Sequence, residues 1–270
     1  MPEIAEVETV RRVLKKEVLH KKIKEVKVLY AGIIESNLED FQKNLPGEEF
    51  IDIKRKGKWL IFELTHYFLL SHLRMEGKFF LKKASSPIEK HEHVIITFTD
   101  NTSLRYQDTR KFGKMNLVLK SDIDKVPSLL KQGIEPMDEN LTREYIYEKI
   151  KNKNIPIKTL LLDQSIISGL GNIYANEVLF ASKINPHKLG KELTIDECEK
   201  IVLSSNQIIE KAITLGGTTI RSYTSSLGVT GHYQDYLKVH KQSICPSCNK
   251  PLTIQKIGGR STYYCMHCQK

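Results

Sequence analysis

Between residues 7 and 18 the apolar side chains fall at Val7, Val10, Leu14 and Val18, the three- and four-residue spacing of one helix face. A helix is expected from the Met1-Pro2-Glu3 start to about His20. Proline suits a first turn, and Glu3, Glu6 and Glu8 suit the positive end of the helix dipole. From Ile23 to about Lys120 the pattern becomes that of strands. Val26, Val28 and Tyr30 alternate, and residues 50–53, 59–64, 67–73, 94–98 and 115–119 are short apolar runs. Turn signals such as Pro46-Gly47 and Asp100-Asn101 separate them. This predicts a β-sandwich with one leading helix. Residues 121–139, with Pro127 and Pro136, read as an interdomain linker. Helices are expected over 142–151, 156–163, 172–182 and 194–215. The last is opened by the capping pair Thr194 and Glu197 and closed by Gly216-Gly217. Residues 216–240 are polar, rich in Ser, Thr and Gly, and without period, as expected of a mobile loop that closes over a ligand. Two β-prone arms around Gly258-Gly259 then predict a terminal hairpin with Arg260 at its tip. The fold class is α+β and multidomain: a sandwich domain over 1–130, a helical domain over 131–237 that carries loop 216–237, and a small finger over 238–270.

Composition narrows the partners. The chain has 270 residues, 40% of them hydrophobic, with 42 Lys and Arg against 32 Asp and Glu, a formal charge of +10. That balance favours nucleic acid, whose phosphates exchange counterions for lysine and arginine, although a lysine-rich proteome would give the same number. No run is long and apolar enough for a bilayer span, and a start charged from Glu3 onward is unlike a signal peptide. A reduced, cytoplasmic, monomeric protein with no membrane partner is expected.

The strongest chemical signal is Cys245-Pro-Ser-Cys248 followed, sixteen residues on, by Cys265-Met-His-Cys268. Two such knuckles across a hairpin bring four thiolates to one point, a set that suits one structural Zn²⁺ and leaves no open position for chemistry. Two disulfides are the alternative. His267 reads as a bystander to a shell already filled by sulfur. Cys198, on the apolar face of its helix, reads as core.

Weaker signals lie elsewhere. Removal of Met1 before the small residue Pro2 would leave a secondary amine able to attack a sugar or carbonyl carbon. Its adduct is an iminium without an N–H proton, an electron sink, and Glu3 and Glu6 stand beside it to move protons. Cations at Arg55-Lys-Gly-Lys58 precede Trp59 at a strand start. The run ending His72-Leu-Arg-Met75-Glu76-Gly77 shows a methionine among polar residues, and Asp108-Thr-Arg110-Lys-Phe112-Gly113 sets an arginine and an aromatic two apart. Taken singly, these read equally well as solvated cations, a core methionine and an ordinary turn. Gly169-Leu-Gly-Asn172 turns into a helix whose first amides and Asn172 suit a phosphate, although any tight interhelical turn uses such glycines.

Together these motifs resemble the formamidopyrimidine-DNA glycosylases, bacterial enzymes that excise 8-oxoguanine. The resemblance runs the length of the chain. It takes in Pro2-Glu3 with Glu6-Val-Glu8-Thr9, Lys58, the His72–Gly77 and Asp108–Gly113 segments, Gly169 to Glu177, Gly258 to Thr262 and the four cysteines. One departure is Ala5, where the family has a second proline. The resemblance implies a helix–two-turns–helix core in the second domain, double-stranded DNA containing oxidised bases held between the domains, and a bifunctional glycosylase and abasic-site lyase of base-excision repair. It implies Pro2 as nucleophile, Glu3 as acid/base at the sugar, Glu6 as support, and Lys58 and Arg260 as further catalytic groups. His72, Met75, Arg110, Phe112, Asn172 and Arg260 would contact DNA. Met75, Arg110 and Phe112 would fill the emptied stack, with Arg110 facing the orphaned cytosine. Glu76, Thr219, Arg221 and Tyr223 would recognise the lesion. Two rival readings differ in class. An endonuclease VIII-like enzyme for oxidised pyrimidines would lack the Arg110/Phe112 loop, and a non-catalytic zinc-ribbon DNA-binding protein gives no reason for Pro2 or Lys58.

Overall fold

The computed structural model describes residues 1–218 and 231–270, so Thr219, Arg221 and Tyr223 lie outside the described residues. The chain divides into two compact units, one built from residues 1–130 with the described ends of the intervening segment, Thr218 and Gly231, and one from 131–217 and 232–270.

In the first unit, helix α1 (Ile4–Val18) is followed by β1 (Ile23–Val28), α2 (Leu38–Asn44), β2 (Phe50–Lys56), β3 (Trp59–Leu64), β4 (Tyr67–His72), β5 (Lys78–Lys83), β6 (Glu92–Phe98), β7 (Thr102–Gln107), β8 (Lys114–Leu119) and α3 (Pro127–Leu130). The strands form two antiparallel four-stranded sheets, ordered β1-β6-β7-β5 and β2-β3-β4-β8. Their inner faces share one core, including Phe50, Phe62, Leu69, Phe79, Phe98 and Leu104, onto which α1 lays Val7, Val10, Leu14 and Val18. The helix runs through Ala5 without a break, so the missing proline leaves its first turn regular.

Three elements escape the hydrophobic pattern. Strands β5 and β7 turn Phe79, Leu81, Leu104 and Tyr106 into the core, but the alternate positions hold Lys78, Lys82 and Arg105, which break up the apolar run. Arg105 is 1% exposed, yet its guanidinium donates to the carbonyls of Ser86 and Pro87 and to Glu92. A buried charge is tolerated when every donor is used. Helix α2 hides a single residue, Phe41, too few to show a period. The expected linker is also different: Val126 and Leu129 pack with Trp59, Ile61 and Leu70, so its first part belongs to the sandwich unit.

The second unit holds α4 (Arg143–Ile150), α5 (Ile157–Leu162), α6 (Asn172–Ala181), α7 (Ile195–Thr214) and the hairpin β9 (Thr253–Ile257) and β10 (Arg260–Tyr264). Thr194 and Glu197 form the expected capping box, and Gly216 and Gly217 close α7 at φ 75° and 77°. Residues 163–171 join α5 to α6, held by the Gln164 side chain, which accepts from Gly169 N–H and donates to the Leu162 and Leu170 carbonyls. The expectation of a mobile loop reaching His240 fails at its far end. Tyr233 and Val239 are buried, and residues 233–236 form a 3-10 turn with Tyr233 against Tyr174. One short turn has no repeat for a periodicity argument to detect.

Candidate active site

Strand register dictates which loops of the sandwich unit meet. Lys56 pairs with Trp59, Trp59 with His72, and His72 with Lys114. The β2–β3 turn, the end of β4 and the start of β8 therefore share one end of their sheet. Segments 73–77 and 108–113 both leave that end for the other sheet, where Lys78 pairs with Gln107. They must run side by side. Helix α1 lies antiparallel to β2: Lys15 meets Asp52, Arg11 donates to the Ile53 carbonyl, and Glu8 meets Arg55. Its N-terminus points to the same end. Residues 2–8, Lys58, Met75–Glu76 and Arg110–Phe112 are thus gathered by topology, from four stretches far apart in sequence.

Pro2 is buried, and Glu3 and Lys58 are 2% and 5% exposed. The N-terminal amine, here on Met1, has its pKa lowered chiefly by burial. Glu3, Glu6 and Glu76 raise it and Lys58 lowers it further, so these four charges stand close to the terminus. Glu6 uses both oxygens as acceptors: Oε2 takes Glu3 N–H at 2.9 Å, and Oε1 takes the N–H and hydroxyl of Thr218 at 2.7 and 2.9 Å. It clasps the helix start to Thr218.

His72 is also turned inward. Burial, then the Arg74 and Lys58 cations, bring its pKa down to about 3, so it is uncharged near neutrality. Its Nδ1 accepts from the Arg74 N–H at 3.0 Å and so fixes the turn, φ 52° at Arg74, that carries Met75. Met75 and Glu76 are half-buried, whereas Arg110 is exposed, with its guanidinium 4.7 Å over the ring of Phe112. Phe112 is 49% exposed, a bare aromatic on a loop otherwise polar. Asp108 braces this loop, accepting from Arg110 and Gly113 N–H. Spacing does not single out Asp108 as a brace, nor the neighbouring His91, half-exposed at φ 69°, whose carbonyl takes the Asp108 N–H. The one sequence signal for that role is an acidic residue opening a loop between two strands.

The second unit builds a separate polar surface. Asn172, first residue of α6, donates from Nδ2 to the Ser261 carbonyl at 2.9 Å, which brings it beside exposed Arg260 at the start of β10. Its Oδ1 has no partner among the described residues. The hairpin turn, Gly258 and Gly259 at φ 55° and 74°, demands glycine, and a Cβ at Gly258 would lie 2.6 Å from Thr159 Oγ1. Behind α6 lies a network that spacing does not reveal. Lys158, fully buried, donates to the Asn172 carbonyl and Asn176 Oδ1. Glu177 accepts the N–H groups of Lys238, Val239 and His240, though burial still raises its pKa.

Cys245, Cys248, Cys265 and Cys268 place their sulfurs within 4.8 Å of one another, the one such group of possible metal ligands among the described residues. Cys248 and Cys265 lie 3.5 Å apart and Cys245 and Cys268 3.8 Å, far beyond a disulfide bond near 2.05 Å. They match the roughly 3.8 Å edge of a sulfur tetrahedron with bonds of about 2.3 Å. The donor set fits a metal. His267 is exposed outside it, and Cys198 is buried with its thiol pushed up to about 12 by desolvation.

Residues 1–115 match the family model of the formamidopyrimidine-DNA glycosylase N-terminal domain, and residues 132–224 that of the formamidopyrimidine-DNA glycosylase H2TH domain. The chain is 42% identical over 272 residues to the formamidopyrimidine-DNA glycosylase of Lactobacillus delbrueckii subsp. bulgaricus, covering all of both chains. To that of Bacillus cereus it is 43% identical over 273 residues, covering 100% of this chain and 99% of the relative. Among solved structures, wild-type Lactococcus lactis Fpg (MutM) in complex with DNA containing N7-benzyl-Fapy-dG superposes with a TM-score of 0.94 at 38% identity, with both chains fully covered. The Lactococcus lactis Fpg complex with abasic-site DNA gives 0.93 at 37%, covering 99% of each.

Proposed function

The chain belongs to the formamidopyrimidine-DNA glycosylase family, and on that premise we propose that it excises oxidised purines, 8-oxoguanine and formamidopyrimidines, from double-stranded DNA and then cuts the strand at the abasic site. The observation that carries this reading is the convergence at one end of the sandwich unit: a buried chain start among Glu3, Glu6, Lys58 and Glu76, alongside an exposed arginine stacked on an aromatic.

A base inside a duplex hides its sugar carbon, so the nucleotide must turn out of the stack at a cost of a few kcal/mol. Phe112 and Met75 replace the lost stacking, and Arg110 offers paired donors to the base left behind. After removal of Met1, the Pro2 nitrogen forms a bond to C1′ while the glycosidic bond breaks and its electron pair leaves with the base, which is protonated as it departs. Glu3 serves as acid and base at the sugar. The nitrogen gives up its proton, and its lone pair forms the C1′=N⁺ iminium as the C1′–O4′ bond breaks and O4′ takes up a proton. The iminium then draws electrons from C1′, so loss of the C2′ proton expels the 3′ phosphate, and a second elimination expels the 5′ phosphate. Lys58 contacts the DNA and assists catalysis, and Arg260, which stays protonated, assists by stabilising the charge on the phosphate it holds. Asn172 and Arg260 hold the flanking phosphates, where an amide and a guanidinium position the backbone without reading sequence. Glu76, with Thr219, Arg221 and Tyr223, serves to recognise the extruded base. The four cysteines hold one Zn²⁺, which closes the hairpin and, with all four positions filled by sulfur, takes no part in the reaction. Such an enzyme works in the cytoplasm, at the nucleoid.

Duplexes carrying single defined lesions test the reading. The protein should cut 8-oxoguanine opposite cytosine and leave thymine glycol largely intact. The reverse preference would make it an endonuclease VIII-like enzyme.

A further inference from the structure

Tyr106 is fully buried in β7, its ring packed edge-on against Phe79 at 5.2 Å. A buried tyrosine hydroxyl ordinarily needs only a polar partner within reach. This one is wedged between two backbones. A Cβ added to Gly77 would lie 2.1 Å from it, and one added to Gly113 only 1.7 Å. No side chain, not even a methyl, fits at either position while the hydroxyl is there. Gly77 ends the segment that carries Met75, and Gly113 ends the segment that carries Arg110 and Phe112.

Asp108, also fully buried, ties the hydroxyl to the second segment. Its Oδ2 accepts from Gly113 N–H at 2.8 Å and from Tyr106 Oη at 3.5 Å, and its Oδ1 accepts from Arg110 N–H at 3.0 Å. Its own N–H donates to the His91 carbonyl at 3.0 Å, and His93 Nε2 contacts its carbonyl at 2.8 Å. Neither loop can slide past the other without displacing the Tyr106 ring from its contact with Phe79.

We propose that Tyr106, fixed by Asp108, sets the register between the Met75 loop and the Arg110–Phe112 loop, and is thereby a specificity-determining positioning residue for the base opposite the lesion. The inference rests on the reading above, in which these loops fill the stack and Arg110 meets the orphaned cytosine. Tyr106 touches no substrate. It fixes the direction in which the guanidinium leaves the loop, and paired donors discriminate only when both are aligned.

The test measures single-turnover excision of 8-oxoguanine opposite cytosine and opposite adenine, with cleavage of an abasic site in single-stranded DNA as a control. A single strand has no stack to refill and no opposite base, so the control reports chemistry without the two loops. For the wild-type protein the cytosine-to-adenine ratio should be about ten to a hundred, the worth of one matched bidentate contact. Tyr106→Phe keeps the ring and removes the wedge. It should lower that ratio by at least about threefold while single-strand cleavage stays within about twofold of wild type. Asp108→Asn, which leaves one loop N–H without an acceptor, should shift the ratio in the same direction. Wild-type ratios in both variants would overturn the inference, as would equal losses on all three substrates, the mark of a merely structural defect. A wild-type protein with no preference would overturn the proposed function itself and this inference with it.

Discussion

Burial does more than any single charge to set the chemistry of the chain start. It lowers the pKa of the N-terminal amine below its ordinary 8.0, Glu3, Glu6 and Glu76 work against that, and Lys58 adds to it. On the proposal that Met1 is removed, the Pro2 nitrogen, itself buried, should be held low by the same burial. An amine attacks only when unprotonated, so a lowered pKa enlarges the reactive fraction near neutrality. The acid limb of Schiff-base formation should therefore lie at lower pH in the folded protein than for the same N-terminal proline in an unfolded peptide. Lys58→Gln removes a cation that lowers the pKa, and should move that limb to higher pH in addition to slowing the reaction. A limb that stays in place would show that Lys58 acts on the reaction without acting on the amine. His72 shows the same physics with a different outcome. Desolvation leaves it neutral, and it accepts from the Arg74 amide, where it shapes the loop that holds Met75.

At the scale of elements, α1 is clipped to β2 beside the turn that bears Lys58. Burial alone would raise the Glu8 pKa, but hydrogen bonds from Arg11 and Arg12 and the charge of Arg55 outweigh it and bring it down to about 2. Arg55 in turn donates to the Gly57 carbonyl at 2.9 Å, one residue before Lys58. A carboxylate with a depressed folded-state pKa stabilises the fold above its unfolded value of 4.5, and that contribution fades as pH falls toward 2. Glu8→Gln should cost roughly 1–3 kcal/mol in urea unfolding at pH 7, discounted for the partly exposed arginines, and close to nothing near pH 2. A cost independent of pH would assign the loss to packing. The finger is a second element with its own test. Metal analysis should find about one zinc per chain. Cys248→Ser should lose the metal and weaken DNA binding while the sandwich unit unfolds as before. A metal-free protein with full activity would contradict this. Elements with a clean period are legible in the sequence: β3 and α7 stand within a residue of their expected bounds, and α1 within three. Strands β5 and β7 are not, because charged residues stand between their few core positions, and Arg105, on the face of β7 away from the core, is buried by carbonyls from another segment. Residues 231–240 are hidden for a related reason, being held by the Glu177 carboxylate and not by a repeat of their own.

For the whole molecule, the motifs are legible in the sequence and their meeting is not. Pro2, Lys58, Met75 and Arg110 each stand in a recognisable string, yet only sheet order and register bring those strings to one end of the sandwich. The supporting residues, Tyr106, Asp108, Gln164, Lys158 and Glu177, carry no signature spacing, since each acts through a contact made in three dimensions. The central claim, that the chain start is the nucleophile, has a direct measurement. Borohydride added during turnover on a duplex with 8-oxoguanine opposite cytosine should reduce the iminium and freeze a covalent protein–DNA adduct. Proteolysis and mass spectrometry should then find the nucleotide on a peptide that begins with Pro2. An adduct on Lys58, or released base with no adduct at all, would contradict the account.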